Sequence, residues 1–458
     1  MSTPELQEVD DFKARITRLE ALFESGKDPE LRAFLEALHP SDIADLIEHF
    51  GEEEERVRIL ELLPAELASE TLAEMEAHQH PEEILAALEP ERIGALLEEL
   101  SDDDAADLIG ELDPEDQARV LATLAPVDAV ELRELIAYPE ESAGGIMTTE
   151  VVALSMHLTA GEAIEEVRRQ AHEMGGEFYK IFVVDLLRRL QGEVGIQDLV
   201  MADPEQTIAE LVEPPVVTIP VDMDQEEVGR LIGRYNEPSV AVVGPNNVLL
   251  GRITWDDVLD VMEAEQTEDL LLLAGIGGEE EVQGAWWDAV RARLPWLTLN
   301  TLTAAMGAVV IHQFTETIDQ MLALAALLPV IAALGGNAGT QALAVTVRRL
   351  ALTRESAARR WRVAGKEVVV GLLNGLVLGI VVGLGSWFFF DSTFMLGAVV
   401  LLAMWGNLVV ASVAGALVPV LLERMGADPA VASSVFVTAV TDVAGFFFLL
   451  GLATRLLL

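Results

Sequence analysis

The chain has 458 residues, 51% of them hydrophobic, yet 77 acidic against 29 basic residues leave a net charge of −48. Charge and apolar surface are segregated: from Pro295 onward 8 acidic and 9 basic residues give +1, and the segment before it carries −49. So acidic a block attracts cations and excludes nucleic acid, whose phosphates need a basic face, and the absence of cysteine excludes disulfides, thiolate metal sites and a cysteine nucleophile.

Met1 to Glu24 is charged throughout and has no apolar core, so no signal peptide is expected and the acidic block is expected in the cytosol. Between about 30 and 136 a pattern recurs every 12 residues: Leu88-Glu89-Pro90, Leu100-Ser101-Asp102, Leu112-Asp113-Pro114 and Leu124-Ala125-Pro126, each followed by acidic residues and an apolar helical turn. Ser and Asp can cap free N–H groups at a helix start, and Pro fills a position that needs none. Short helices at constant period predict an all-α superhelical N domain over residues 1–142.

From about 143 the pattern changes to β-branched runs. Val151-Val152 and Val216-Val217 open two similar segments, each followed by an amphipathic helix starting at Thr159 or Asp224. Ile181-Phe182-Val183-Val184 and Val240-Ala241-Val242-Val243 follow, and each unit closes with a glycine (Gly192 or Gly251), a short strand and a helix. This tandem α+β repeat resembles a pair of CBS domains, here 143–206 and 207–264; such modules bind adenine nucleotides or ions, and the fold alone does not say which. Residues 257 to about 292 read as mostly helical with a break at Gly275–Gly278, and 265–294 as a connecting helix into the membrane.

After Arg293 five apolar stretches reach spanning length, at about 295–314, 321–348, 366–390, 394–422 and 429–456, giving a five-span all-α transmembrane domain over 295–458. The connection after the second span holds Arg348, Arg349, Arg354, Arg359, Arg360, Arg362 and Lys366, whereas those after the first and third hold only Glu316, Asp319 and Asp391 as charges. The basic loop is therefore expected on the cytosolic side, with the N-terminal domains inside and the C-terminus outside.

Asp442 stands mid-span. An unpaired carboxylate there must face a wet pathway, bind an ion or take up a proton. Asp428 lies fourteen residues earlier, nearly four helical turns, so the two carboxylates are expected on one face with Val431, Val435 and Thr438 between them. In the second span, Pro329 and Gly335-Gly336-Asn337-Ala338-Gly339-Thr340-Gln341 permit either close helix contact or an unwound, carbonyl-exposing turn. Asn300, Asn374 and Asn407 carry the same ambiguity.

The whole pattern resembles the MgtE family of magnesium channels, most specifically at residues 335–341, Asp428-Pro429-Ala430, Thr441-Asp442-Val443, Ser142-Ala143-Gly144-Gly145 and the acidic stretch 256–265. The resemblance implies a homodimer in the bilayer with a pore on its two-fold axis. Asp442 would meet a hydrated Mg²⁺ there, with Asn337 and Thr438 as further pore-lining candidates. It also implies cytosolic Mg²⁺ sites that close the pore: Glu70, Asp103 and Asp107 in the N domain, Asp224 and Glu226 with the carbonyl of Gly233 beside them, Asp257, Asp260, Glu265, Glu268 and Asp269 on the connecting helix, and Asp428 at the membrane. ATP at the CBS pair is a further implication. Asn236 replaces a usual acidic residue and Glu141 a usual aspartate, which weakens one cytosolic site.

The rivals are a transporter of another cation such as Co²⁺ or Mn²⁺, a membrane protease, and a non-conducting anchored sensor. Seven histidines with only His312 in a span argue against a soft-metal selectivity site, and no His-Glu-x-x-His motif supports a protease. Asp442 argues against the sensor.

Overall fold

The computed structural model describes residues 4–50, 53–75, 79–173, 178–277, 286–352, 357–390, 394–425, 428–431 and 433–458; Arg354, Asp391 and Gly278 lie outside them. The chain divides into two compact units, Met1–Met262 and Glu263–Leu458.

The first unit opens with ten helices among the described residues: α1 (Pro4–Glu24), α2 (Asp28–Leu35), α3 (Pro40–Glu48), α4 (Glu53–Leu62), α5 (Ala65–Ala73), α6 (Pro81–Ala87), α7 (Pro90–Leu97), α8 (Asp102–Gly110), α9 (Pro114–Leu121) and α10 (Asp128–Ile136). Pro81, Pro90 and Pro114 each start a helix, where a missing N–H costs nothing. Asp113 caps α9 by accepting from the N–H groups of Glu115 and Asp116, both at 3.0 Å. Ser101 does not cap α8; its hydroxyl donates to Asp104 instead. The fourth repeat slips: α10 begins at Asp128 rather than at Pro126. Each helix packs on the one two places along, α3 on α5, α5 on α7 and α7 on α9 in one row, α4 on α6, α6 on α8 and α8 on α10 in the other. Leu31, Leu46, Ile59, Leu72, Ile84, Leu96 and Ile109 fill the space between the rows and are essentially inaccessible.

Two three-stranded sheets follow with identical topology. β1 (Ala153–Ser155) runs parallel to β2 (Ile181–Val184), which pairs antiparallel with β3 (Leu190–Val194). β4 (Thr218–Pro220), β5 (Ser239–Val243) and β6 (Leu249–Thr254) repeat the arrangement. Helix α11 (Ala160–Glu173) starts with a capping box in which Thr159 and Glu162 exchange backbone and side-chain hydrogen bonds. Short helices α12 (Ile196–Met201) and α13 (Ile208–Leu211) come next, and α14 (Gln225–Tyr235) is capped by Asp224. Phe182 and Leu190 from one sheet pack against Ala241, Val243 and Leu249 from the other.

The flanking segments are exchanged. Ala143 and Gly144 donate to the carbonyls of Met223 and Val221, and Thr148 pairs with Arg252, so residues 143–148 bind the second sheet. Glu213 pairs with Glu193, and Ile208 donates to Leu158, so residues 207–213 bind the first. Gly192 and Gly251 hold equivalent places in this exchange. A Cβ on Gly192 would meet the Glu213 carbonyl oxygen at 2.4 Å, and one on Gly251 the Thr148 carbonyl oxygen at 2.4 Å.

Helix α15 (Trp255–Ala274) begins in the first unit and continues into the second. It ends at Gly275, whose φ of +78 with the bond from Ile276 N–H to the Leu271 carbonyl makes a Schellman cap. The rest of the second unit comprises α16 (Trp286–Gln313), the short α17 (Thr315–Gln320), α18 (Ala323–Leu352), α19 (Ala357–Phe389), α20 (Phe394–Arg424) and α21 (Ser433–Leu456). Five of these are long and apolar enough to cross a membrane, over Ala289–Gln313, Ala323–Leu350, Gly365–Phe389, Phe394–Arg424 and Ser434–Leu456. Helix α20 is the most enclosed, packed by α18, α19 and α21. Small residues make that packing possible: a Cβ on Gly383 of α19 would lie 2.6 Å from the Gly397 carbonyl oxygen of α20.

Candidate functional site

Asp442 sits one third of the way along α21 and is half-buried. Its Cβ lies 3.8 Å from where a Cβ on Gly307 of α16 would stand, so its stretch of α21 passes close to α16 at a residue with no side chain. Among the described residues no cationic side chain is paired with it. Thr438, one turn earlier, donates to the Ser434 carbonyl at 2.9 Å.

Helix α18 is continuous through residues 335–341, so there is no unwound turn, and Gly335 and Gly339 serve packing. A Cβ on Gly335 would meet Asn407 Nδ2 at 2.3 Å, and one on Gly339 the Val437 side chain at 2.4 Å. Gly336 faces open space and Asn337 is exposed. Asn407, fully buried, donates to the Ile331 carbonyl at 3.2 Å and braces α18 against α20.

Asp428 does not share a helix with Asp442. Helix α21 starts at Ser433, and Asp428 lies in the turn before it, where its carboxylate accepts from Ala430 N–H at 2.6 Å. The fourteen-residue helical spacing therefore fails, because Pro429 and the Asx turn use these residues to end the loop. The structure instead brings Asp428 beside Asp269. Burial first, and then the Asp428 charge, push the Asp269 carboxyl above its usual range, while Arg348 opposes them. Leu272 on the same helix packs with Leu343, Val347 and Ala430 and holds this contact.

In the first unit, the start of α8 and the start of α15 converge. Burial first, then Asp104 and Asp257, push the Asp103 carboxyl up to about 8, and its Oδ1 is buried without a hydrogen-bond partner among the described residues. Asp107 keeps surface open to solvent but is crowded on its protein side. That desolvation, followed by Asp104, Glu140, Glu111 and Asp257, takes it to about 7. Desolvation and then Asp102 raise Glu150 to about 7 as well. Asp257, raised chiefly by burial, also accepts from Thr254 N–H at 3.2 Å and so caps α15. Four or more carboxylates with raised protonation and little counter-charge form a site that a divalent cation would relieve.

Sequence reasoning missed Asp104, Glu74 and Asp256, all of which act on this cluster. Asp104 was visible as the third member of the run from Asp102, and Glu74 lies one turn beyond Glu70. Glu70 itself is exposed.

Asp224 is the N-cap of α14 and accepts from Glu226 N–H at 3.1 Å. Gly233 is not beside them: nine residues further along the same helix, it stands about 13 Å from Asp224. Asn236 ends α14 in the left-handed region at φ +54, a position Asn accepts more readily than an acidic residue with a longer chain. Asp257, Asp260, Glu265 and Glu268 do lie on one unbroken helix, within a sector of about 140° at 100° per residue. Asp260, Glu265 and Glu268 each already have an interaction partner.

The raised carboxyls would give any cation affinity of this cluster a defined pH dependence. In the folded chain Asp103, Asp107 and Glu150 hold protons that the unfolded chain has released above about pH 4. Without a cation, their contribution to stability therefore declines as pH rises from about 4 to about 8. A bound cation would displace these protons, so its affinity would rise over the upper part of that window. If only Asp103 must deprotonate, affinity at pH 8 exceeds that at pH 6 by about 50-fold, measurable by calorimetry.

Comparison with known proteins follows the same divisions. A family model described as a divalent cation transporter matches residues 328–452, one described as the MgtE intracellular N domain matches 38–141, and a CBS-domain model matches 208–264. The chain is 38% identical to the magnesium transporter MgtE of Thermus thermophilus, covering 97% of this chain and 99% of that one. It is 29% identical to the magnesium transporter MgtE of Bacillus subtilis over 96% of each. A solved structure of the cytosolic domain of the Mg²⁺ channel MgtE in complex with ATP is similar at 37% identity and a TM-score of 0.51, covering 54% of this chain and 99% of that one.

Proposed function

The chain belongs to the MgtE family of divalent cation transporters, and from that premise we propose that it carries Mg²⁺ into the cell across the cytoplasmic membrane and closes when cytosolic Mg²⁺ is high. The observation that carries this reading is Asp442, a half-buried carboxylate in a membrane-length helix with no cationic partner among the described residues. Mg²⁺ gives up its water reluctantly, so a carboxylate that holds its hydration shell suits it better than a tight all-protein cage. Two copies of the chain around a two-fold axis would bring two such carboxylates to one pore. The basic residues at the end of α18 and the start of α19 would lie in the cytosol with the acidic domains, leaving the C-terminus outside.

Purified protein in liposomes tests the proposal. Mg²⁺ influx that competing Co²⁺ and Mn²⁺ inhibit only weakly is the expected result. Preference for Co²⁺ or Mn²⁺ would reassign the substrate, and absence of divalent flux would leave only an anchored sensor.

Closure follows from charge. Two carboxylates about 4 Å apart repel by about 4 kcal/mol at an effective dielectric near 20, and a shared divalent ion reverses that sign. Flipping a two-state gate needs about 5.5 kcal/mol of differential binding, which a few such pairs supply. The Asp103–Asp257 cluster and the Asp269–Asp428 pair are the sites that would do so. Neutralising Asp257 and Asp260 together should raise the internal Mg²⁺ concentration needed for half-inhibition of flux by at least about 10-fold, since each lost ion contact of 1.4 kcal/mol is a decade. Inhibition at the wild-type concentration would remove α15 from the gate.

The ATP-bound relative makes ATP the proposed nucleotide of the CBS pair. The sequence holds no glycine-rich phosphate loop with a lysine, so ATP there would act as a modulator and not as an energy source.

A further inference from the structure

Away from the all-carboxylate clusters, the start of α6 gathers an imidazole and two carboxylates: His80 is its N-cap and Glu82 and Glu83 stand in its first turn. His80, Glu82 and Glu83 each offer one ligand atom, and these atoms all lie within 4.8 Å of one another. His80 Nδ1 stands 3.2 Å from Glu82 Oε1. Glu82 is only 8% exposed, and its other oxygen, Oε2, is buried with no hydrogen-bond partner among the described residues.

Acidic residues in the first turn of a helix ordinarily answer the helix dipole. That accounts for Glu83, which is exposed, but not for Glu82. Burying a carboxylate with one oxygen unsatisfied is costly unless a cation accompanies it. Among the described residues the group facing Glu82 is the His80 imidazole, which is itself a metal ligand when neutral.

We propose that His80, Glu82 and Glu83 bind a divalent d-block cation of the zinc class. An imidazole nitrogen with two carboxylates suits such an ion, whereas Mg²⁺ takes oxygen ligands and keeps its water. The bound ion takes the place of the His80–Glu82 contact and satisfies the orphaned oxygen. Three protein ligands leave a coordination position to water, so the ion is exchangeable and not a permanent structural clamp. The site is chemically distinct from the all-oxygen clusters, and its occupancy does not depend on whether the chain transports Mg²⁺.

Full-length protein in detergent, equilibrated with Zn²⁺ in a large excess of Mg²⁺ and assayed by competition with a chromogenic chelator, tests this. Wild-type protein retains zinc under these conditions, and H80A and E82Q each weaken its affinity by at least about 10-fold. Glu83→Gln alters an exposed side chain, leaves the fold intact, and weakens zinc binding in the same direction. Zinc that excess Mg²⁺ strips from the wild type overturns the proposal. So does zinc affinity in His80→Ala and Glu83→Gln equal to that of the wild type.

Discussion

Asp442→Ala is expected to reduce Mg²⁺ flux in liposomes by about 100-fold or more while the protein still folds and inserts. The half-buried carboxylate contributes no ion pair among the described residues, so removing it breaks no structural bridge. On the proposed reading, what would be lost is the negative charge that offsets the desolvation of a cation inside the bilayer. A loss of about 3 kcal/mol at the rate-limiting position is two decades in rate. Asp442→Asn, which keeps the shape and a hydrogen-bonding oxygen, falls to a similar level because charge is the property at stake. Flux within a few-fold of wild type in both variants would take Asp442 out of the conduction path.

The second large effect is on stability. A Cβ added to Gly415 of α20 would stand 2.3 Å from the Gly339 carbonyl oxygen and 2.9 Å from Leu343 N, both backbone atoms of α18. Backbone cannot swing aside as a side chain can, so G415A forces the two helices apart. The expected cost is about 1–3 kcal/mol, the range for overpacking a close-packed interior, seen as a lower midpoint of thermal unfolding in detergent. Gly336→Ala is the matched control, because open space lies where its methyl group goes. It should gain up to about 1 kcal/mol from helix propensity alone. Equal midpoints for the two variants would show that α18 and α20 do not meet as described.

The same glycines show how far the sequence could be read. Pro329 and residues 335–341 left two readings open, close contact or an unwound turn, because composition at one position cannot show what stands opposite it. The structure decides for contact at Gly335 and Gly339 and for neither at Gly336. The superhelix was legible because its 12-residue period is written into turn residues, and the five spans because apolar length is a local property. Asp428 was misplaced on α21 for the converse reason. Helical spacing holds only from Ser433, and at Pro429 the chain is still turning. The acidic cluster was legible as a composition but not as a membership: Glu74, just past the end of α5, and Asp256 and Asp257, at the start of α15, come within charge range of Asp104 on α8, which no spacing along the chain encodes. The exchange of segments between the two sheets had no periodic signature at all. In hindsight Gly192 and Gly251 marked it, since each stands where a foreign carbonyl approaches too closely for any side chain.

That exchange has a mechanical corollary. Each lobe is completed by a stretch of chain rooted in the other, so neither can melt by itself without stripping a partner of its outer hydrogen bonds. A ligand that steadies one lobe must therefore slow the fraying of both. The pair would respond to occupancy as a single body, and the Ser142-Ala143-Gly144-Gly145 turn, which follows the last superhelix helix and bonds to the second sheet's flank, is where the helical superhelix joins it.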